Sequence, residues 1–168
     1  MTRKVSTTLQ SAGLLMCRKN PDALQFFLIH PGGPFWKNKN EGAWSIPKGL
    51  VEENESMLET AQREFLEETG IKPVPPFHSL DTVRTKSGKI LHAWTFLGSW
   101  EPADGFTSNN ISIELPPRSK KYIMIPEADK GEWMELQNAM TMINAAQRPF
   151  LERATDHYAS HQTRLASF

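Results

Sequence analysis

Cysteine is almost missing: Cys17 is the single one in 168 residues. No disulfide forms within the chain, and the sequence fits a reducing compartment with Cys17 as a small core residue on a strand. An excess of charge is missing too. Nineteen basic and nineteen acidic residues cancel, which removes the bulk electrostatic case for a nucleic-acid partner or a membrane surface. Long apolar runs are absent: "AGLLMC" near the start is too short for a secretory signal, and no stretch approaches membrane-spanning length. The five histidines lack the spacing of a zinc site. Repeats and low-complexity tracts are absent as well. What remains is a cytoplasmic chain of ordinary composition, 39% apolar and 23% charged. The expectation is one domain over 1–168, with a core from about residue 11 to 152 and frayed ends.

Apolar runs Ser11–Met16 and Leu24–His30, separated by "RKNPD", read as strand, turn, strand. A Gly/Pro-rich loop, "HPGGPFWKNKNEG", leads to the short segment "AWSIPKG". Later come a hairpin around "TKSGK", an aromatic-rich strand "ILHAWTFLGSW" and a short strand "ISIELPP". "PPRSKKYIMIPEADKGEWMEL" reads as a long loop ending in a strand. From Gln137 to about Ala154 the apolar spacing predicts one helix kinked at Pro149. Strands interleaved with helices indicate a mixed α/β domain.

Against this ordinary background, residues 49–71 hold seven glutamates and one arginine. Ser56 and Glu59 have capping-box spacing and Gly70 suits a helix stop, which predicts a helix over Met57–Thr69. Leu58, Ala61 and Phe65 form its core-facing stripe. Glu64, Glu67 and Glu68, at i, i+3 and i+4, form a neighbouring acidic stripe. Clustered like charges repel, and a hard, oxygen-seeking cation such as Mg2+ or Mn2+ is the expected compensation. Glu55, Glu59 and Glu67 are each placed to fix Arg63. The alternative reading is a solvated acidic face.

Gly49, Glu55, Arg63-Glu64-Phe65, Glu67-Glu68 and Gly70-Ile71 fall at the fixed positions of the Nudix box, G-x5-E-x7-R-E-U-x-E-E-x-G-U, where U is bulky and apolar. "WSIPKG" and "HPGGPFW" also resemble segments of Nudix proteins. The resemblance implies an α/β/α sandwich with a mixed sheet, and Mg2+-dependent hydrolysis of a nucleoside diphosphate linked to another group. It implies metal ligation by Glu64, Glu67, Glu68 and the Gly49 carbonyl. Catalytic work falls to Glu64, Glu67 and Arg63, with Glu64 as the general base and Glu127 or Glu114 as the alternative base outside the box. Glu55, Arg63 and Gly70 support the loop and helix geometry.

For substrate, Lys48 suits a phosphate, while Trp36, Lys37, Lys39 and Trp44 combine aromatics with positive charge for a base and polyphosphate. Packing on the sheet is the alternative for either tryptophan. Glu127 joins the substrate-binding set. Two further basic clusters, Arg84/Lys86/Lys89 and Arg118/Lys120/Lys121, read as ordinary loop charges. The expected partner is a small-molecule nucleotide, with a homodimer allowed by the family. A dinucleoside polyphosphate such as diadenosine tetraphosphate is the best-fitting substrate. A nucleoside triphosphate is the alternative, and a non-catalytic nucleotide-binding module the competing class.

Overall fold

The computed structural model describes residues 8–165. Eight strands and three helices run in the order β1 (Gln10–Asn20), β2 (Ala23–Pro31), β3 (Lys48–Leu50), α1 (Met57–Thr69), β4 (His78–Arg84), β5 (Ile90–Leu97), β6 (Asn110–Glu114), β7 (Tyr122–Pro126), β8 (Ala128–Glu135), α2 (Leu136–Met142) and α3 (Arg148–Leu165). Five strands form a path β4-β5-β1-β2-β8, and β3 pairs with β1 as the sixth. The β1–β5 pair is parallel and the other pairs are antiparallel, so the sheet is mixed.

β1 is apolar on both sides because both sides are covered. Leu15 and Cys17 join a core with Phe26, Ile46, Ile143, Phe150 and Leu151, beneath α2 and α3. Ala12, Leu14 and Met16 point the other way, into a core with Phe27, Phe65 and Phe96 beneath α1. Phe65 of α1 meets Phe96 of β5 edge-to-face, with ring centroids 5.2 Å apart. Helices therefore flank the sheet on both faces in an α/β/α sandwich. Among the described residues, no helix is long and apolar enough to cross a membrane.

The expected loop before the last strand is instead a separate hairpin of β6 and β7, running directly into β8. The expected helix over 137–154 is two helices. α2 stops at Met142, and Ile143 and Asn144 turn extended before a short 3-10 turn and α3. Pro149 lies in the first turn of α3, where its missing N–H is not needed, and makes no kink. α3 continues through the polar tail to Leu165, anchored by Ala154 and Tyr158 at i, i+4 spacing in the core. The frayed start expected of residues 1–7 lies outside the described residues.

Candidate active site

α1 starts and stops where its caps direct. Ser56 Oγ accepts from the Glu59 N–H, Glu59 returns a bond to the Ser56 N–H, and Gly70 closes the helix at φ 73°. Its buried face is Thr60, Ala61, Glu64, Phe65, Glu68 and Thr69. The helix is thus rotated from the expected stripe: Leu58 is only partly buried, and Glu64 and Glu68 turn inward beside Phe65.

Three carboxylates meet there. Glu64, Glu68 and Glu127 each offer an oxygen, all within 4.8 Å of one another. Glu68 Oε2 accepts the Lys48 backbone N–H at 2.9 Å, which ties α1 to β3. Glu127 reaches the cluster from the bend between β7 and β8. Its backbone is clamped by bonds with Asn109 and Gly32, and any side chain at Gly32 would strike the Pro126 carbonyl. A Cβ on Gly49 would likewise overlap the Glu64 carboxyl group. Glycine at 49 is required by close approach, since this backbone lacks a positive φ.

Arg63 organises the rim of the cluster. It donates to Glu55 through Nε at 2.6 Å and Nη2 at 3.1 Å, and to Glu64 through Nη1 at 2.9 Å. Its bonds hold the Glu55 carboxyl down at about 2, with help from the Thr60 hydroxyl. Glu67 also faces Arg63, at 3.3 Å, and its half-exposed side chain stands outside the three-carboxylate cluster.

Burial pushes the carboxyls of Glu64 and Glu68 up, and the charge of Glu127 pushes Glu68 further. Buried, mutually repelling oxygens with no histidine or cysteine among them form a donor set for a hard divalent cation. The residues therefore fit Mg2+ or Mn2+.

The sign of these shifts gives a stability prediction. Carboxyls raised in the fold stabilise it below their unfolded value of about 4.5, and that contribution is lost as pH rises through the raised values. Glu55, shifted the opposite way, loses its contribution only as pH falls toward 2. In EDTA, the melting temperature is expected to fall as pH rises from about 5 to neutrality. Glu68→Gln should flatten that slope; an equal slope in both proteins would remove these carboxyls as its source.

A cavity of about 210 Å³ borders Glu127 and Lys48 and is walled by Ile29, Trp36, Asn144 and Gln147. Trp36, 40% exposed, is carried by the loop after β2 with Lys39 Nζ 5.2 Å from its ring. The buried His30 ring ties that loop to β8, with Nδ1 2.9 Å from Asp129 Oδ1 and Nε2 2.6 Å from the Lys39 carbonyl. Lys37 is exposed and does not line the cavity.

Trp44 does not join this site. It is 2% exposed, packed edge-to-face on His30 in the core, so the packing alternative holds for it. Glu114 is also remote in role: its carboxylate accepts the Lys120 N–H at 2.7 Å and closes the β6–β7 hairpin. Glu127, expected with the substrate or as a base, stands among the candidate metal ligands. Asn144 and Gln147 carry no local signal in the sequence, being lone amides roughly eighty residues beyond the glutamate helix.

A family model described as the NUDIX domain matches residues 8–154. The chain belongs to the NUDIX family. An RNA pyrophosphohydrolase of Sulfurovum sp. (strain NBC37-1) is 23% identical over 167 residues, covering 94% of this chain and 96% of that protein. The NUDIX domain of Shewanella oneidensis NrtR complexed with ADP ribose has a TM-score of 0.66 at 20% identity, over 94% of this chain and 93% of that one. A C. elegans Ap4A hydrolase binary complex gives 0.62 at 22% identity, over 91% and 99%. At these identities the two structures speak for the NUDIX fold alone. The family match, together with relatives named as pyrophosphohydrolases, marks this NUDIX chain as a hydrolase of phosphoanhydride bonds.

Proposed function

We propose that this hydrolase cleaves a nucleotide phosphoanhydride in a Mg2+- or Mn2+-dependent reaction, with a dinucleoside polyphosphate as its preferred substrate class. The observation that carries this reading is the convergence of Glu64, Glu68 and Glu127 beside a cavity that also holds Trp36 and Lys48. Glu64, Glu68 and Glu127 would hold the cation, with the Gly49 carbonyl of β3 as a further ligand. When bound, a divalent cation supplies neutralisation of phosphate oxygens and acidification of water. Trp36 stacks the base, and Lys48 meets a phosphate as a point charge.

Water attacks one phosphorus, its oxygen forms the new P–O bond, and the bridging P–O bond breaks toward the departing phosphate. Glu64 takes the proton. Arg63 donates to its Oε1, which leaves Oε2 as the reacting oxygen. Glu67 works through Arg63, and Glu55 fixes the arginine's plane.

The test is product release with Mg2+ from a panel of dinucleoside polyphosphates, nucleoside triphosphates, a 5′-triphosphorylated RNA and ADP-ribose. Turnover of dinucleoside polyphosphates above the others, abolished by EDTA, is expected. Preference for triphosphates would move the substrate to the alternative class, and nucleotide binding without any turnover would defeat the reading. Glu127→Gln should weaken Mg2+ by about tenfold or more, since even a partner behind a ligand is worth about 10- to 100-fold in affinity. Unchanged Mg2+ dependence of the rate in that variant would remove Glu127 from the ligand set.

A further inference from the structure

Lys48, Asn144 and Gln147 wall a second cavity, of about 280 Å³, on the side away from Glu127. Its other walls are Ser11, Leu91 of β5 and the β4–β5 turn, which contributes Thr85, Lys86, Ser87 and Lys89. The lining contains three ammonium groups, three hydroxyls and two amides, and no carboxylate. No ion pair to Lys48, Lys86 or Lys89 forms among the described residues. The first cavity differs in kind, with an apolar and aromatic wall and the acid Glu127.

The turn is built rather than loose. Thr85 N–H donates to the Lys89 carbonyl at 2.8 Å, Gly88 N–H to the Thr85 carbonyl at 2.9 Å, and Lys89 N–H to Thr85 Oγ1 at 3.1 Å. Arg84 Nη1 also donates to the Gly88 carbonyl, at 3.1 Å. The shared wall is equally fixed: Gln147 is buried, and its Oε1 accepts the Ile46 N–H at 3.0 Å and the Ser45 hydroxyl at 3.2 Å. Lys48 is held opposite Gly13 of β1, where any side chain would push β3 away. Its own backbone is bonded to Glu68 in the carboxylate cluster. An aromatic-walled cavity and a cationic one therefore open on either side of Lys48, next to the cluster.

We propose that the cavity between Lys48 and the β4–β5 turn is a polyphosphate site. It holds the phosphates that lie beyond the scissile anhydride, while the nucleoside occupies the cavity of Trp36. This deepens the function proposed above and rests on it for the direction of the substrate. Lys86 and Lys89 make the enzyme select a chain of further phosphates over an uncharged extension. A nucleoside diphosphate joined to a sugar would leave the lysines without an anion, whereas a tetraphosphate chain carries further phosphates for them.

Two measurements with the full chain separate this site from the reaction. Inorganic tripolyphosphate is titrated calorimetrically into wild type, Lys86→Ala/Lys89→Ala and Lys86→Arg/Lys89→Arg, in EDTA. The alanine pair is expected to bind about tenfold or more weakly, with much of the affinity kept by arginine, since these contacts are charge-assisted. In steady state with Mg2+, the alanine pair should raise KM for a dinucleoside tetraphosphate about tenfold with little change in kcat, and the tetraphosphate preference over ADP-ribose should shrink accordingly. Absence of tripolyphosphate binding to wild type, or equal binding to the alanine pair, overturns the site. A fall in kcat without a change in KM overturns it as well. Lysine-dependent tripolyphosphate binding in a protein that hydrolyses none of the panel would uphold the site and defeat the proposed reaction.

Discussion

Glu64→Gln is expected to cut cation-dependent turnover by roughly a thousandfold or more, since it removes the proposed metal ligand and proposed proton acceptor together. Glutamine keeps the volume of the side chain, and its Oε1 can still accept from Arg63 Nη1, the bond that Glu64 makes at 2.9 Å. It also deletes a charge that burial disfavours. The fold should therefore persist, with a melting temperature in EDTA close to that of wild type. Rate and melting curve are read on the same preparations. Retained turnover would show that Glu64 neither holds the cation nor takes the proton. Loss of the fold would show that the Arg63–Glu64 ion pair carries more stability than a desolvated carboxylate allows.

Gly49→Ala should be nearly as damaging to catalysis, for a steric reason. Gly49 pairs with Ala12 across β1 and β3, and α1 packs so closely that a Cβ would coincide with the Glu64 carboxyl group. Either Glu64 swings out of the cluster or β3 and α1 separate. Overpacking of this kind costs on the order of 1–3 kcal/mol, so a lower melting temperature should accompany a rate loss of about 100-fold or more. Combined with Glu64→Gln, the alanine should add little further loss of rate, because both changes act on one carboxylate. Additive losses would mean that Gly49 serves catalysis through its own carbonyl and independently of Glu64. Near wild-type activity of Gly49→Ala would show that the cluster tolerates a displaced Glu64.

The sequence determined the parts of this protein whose signals are local. Ser56 and Glu59 start α1 and Gly70 stops it, each through bonds to residues a few positions away, so its limits were legible from spacing. The turn at Pro21–Asp22 and the apolar runs on either side gave β1 and β2, because a strand covered on both faces must be apolar at every position. The fixed glutamates, arginine and glycines of residues 49–71 pointed to the family for the same reason: they act within one loop and one helix. Local signals misled where the decisive contact was distant. Trp44 carries the same indole as Trp36, and only packing against His30 puts it in the core. Pro149 looks like a kink until Asn144 and the preceding turn end α2 ahead of it.

The site itself was decided by tertiary structure. Spacing placed Glu64, Glu67 and Glu68 on one stripe, but it could not say which way the helix is rolled. Phe65 packing on Phe96 sets that roll, turning Glu64 and Glu68 inward and leaving Glu67 with Arg63. Glu127 completes the cluster from a bend about sixty residues further on, held by the close approach of Gly32 and Asn109. Asn144 and Gln147 meet Lys48 only because α3 covers the face of the sheet opposite α1. Periodicity reports which residues share a face of one element. Which faces converge depends on packing between elements, and no single stretch of sequence contains that information.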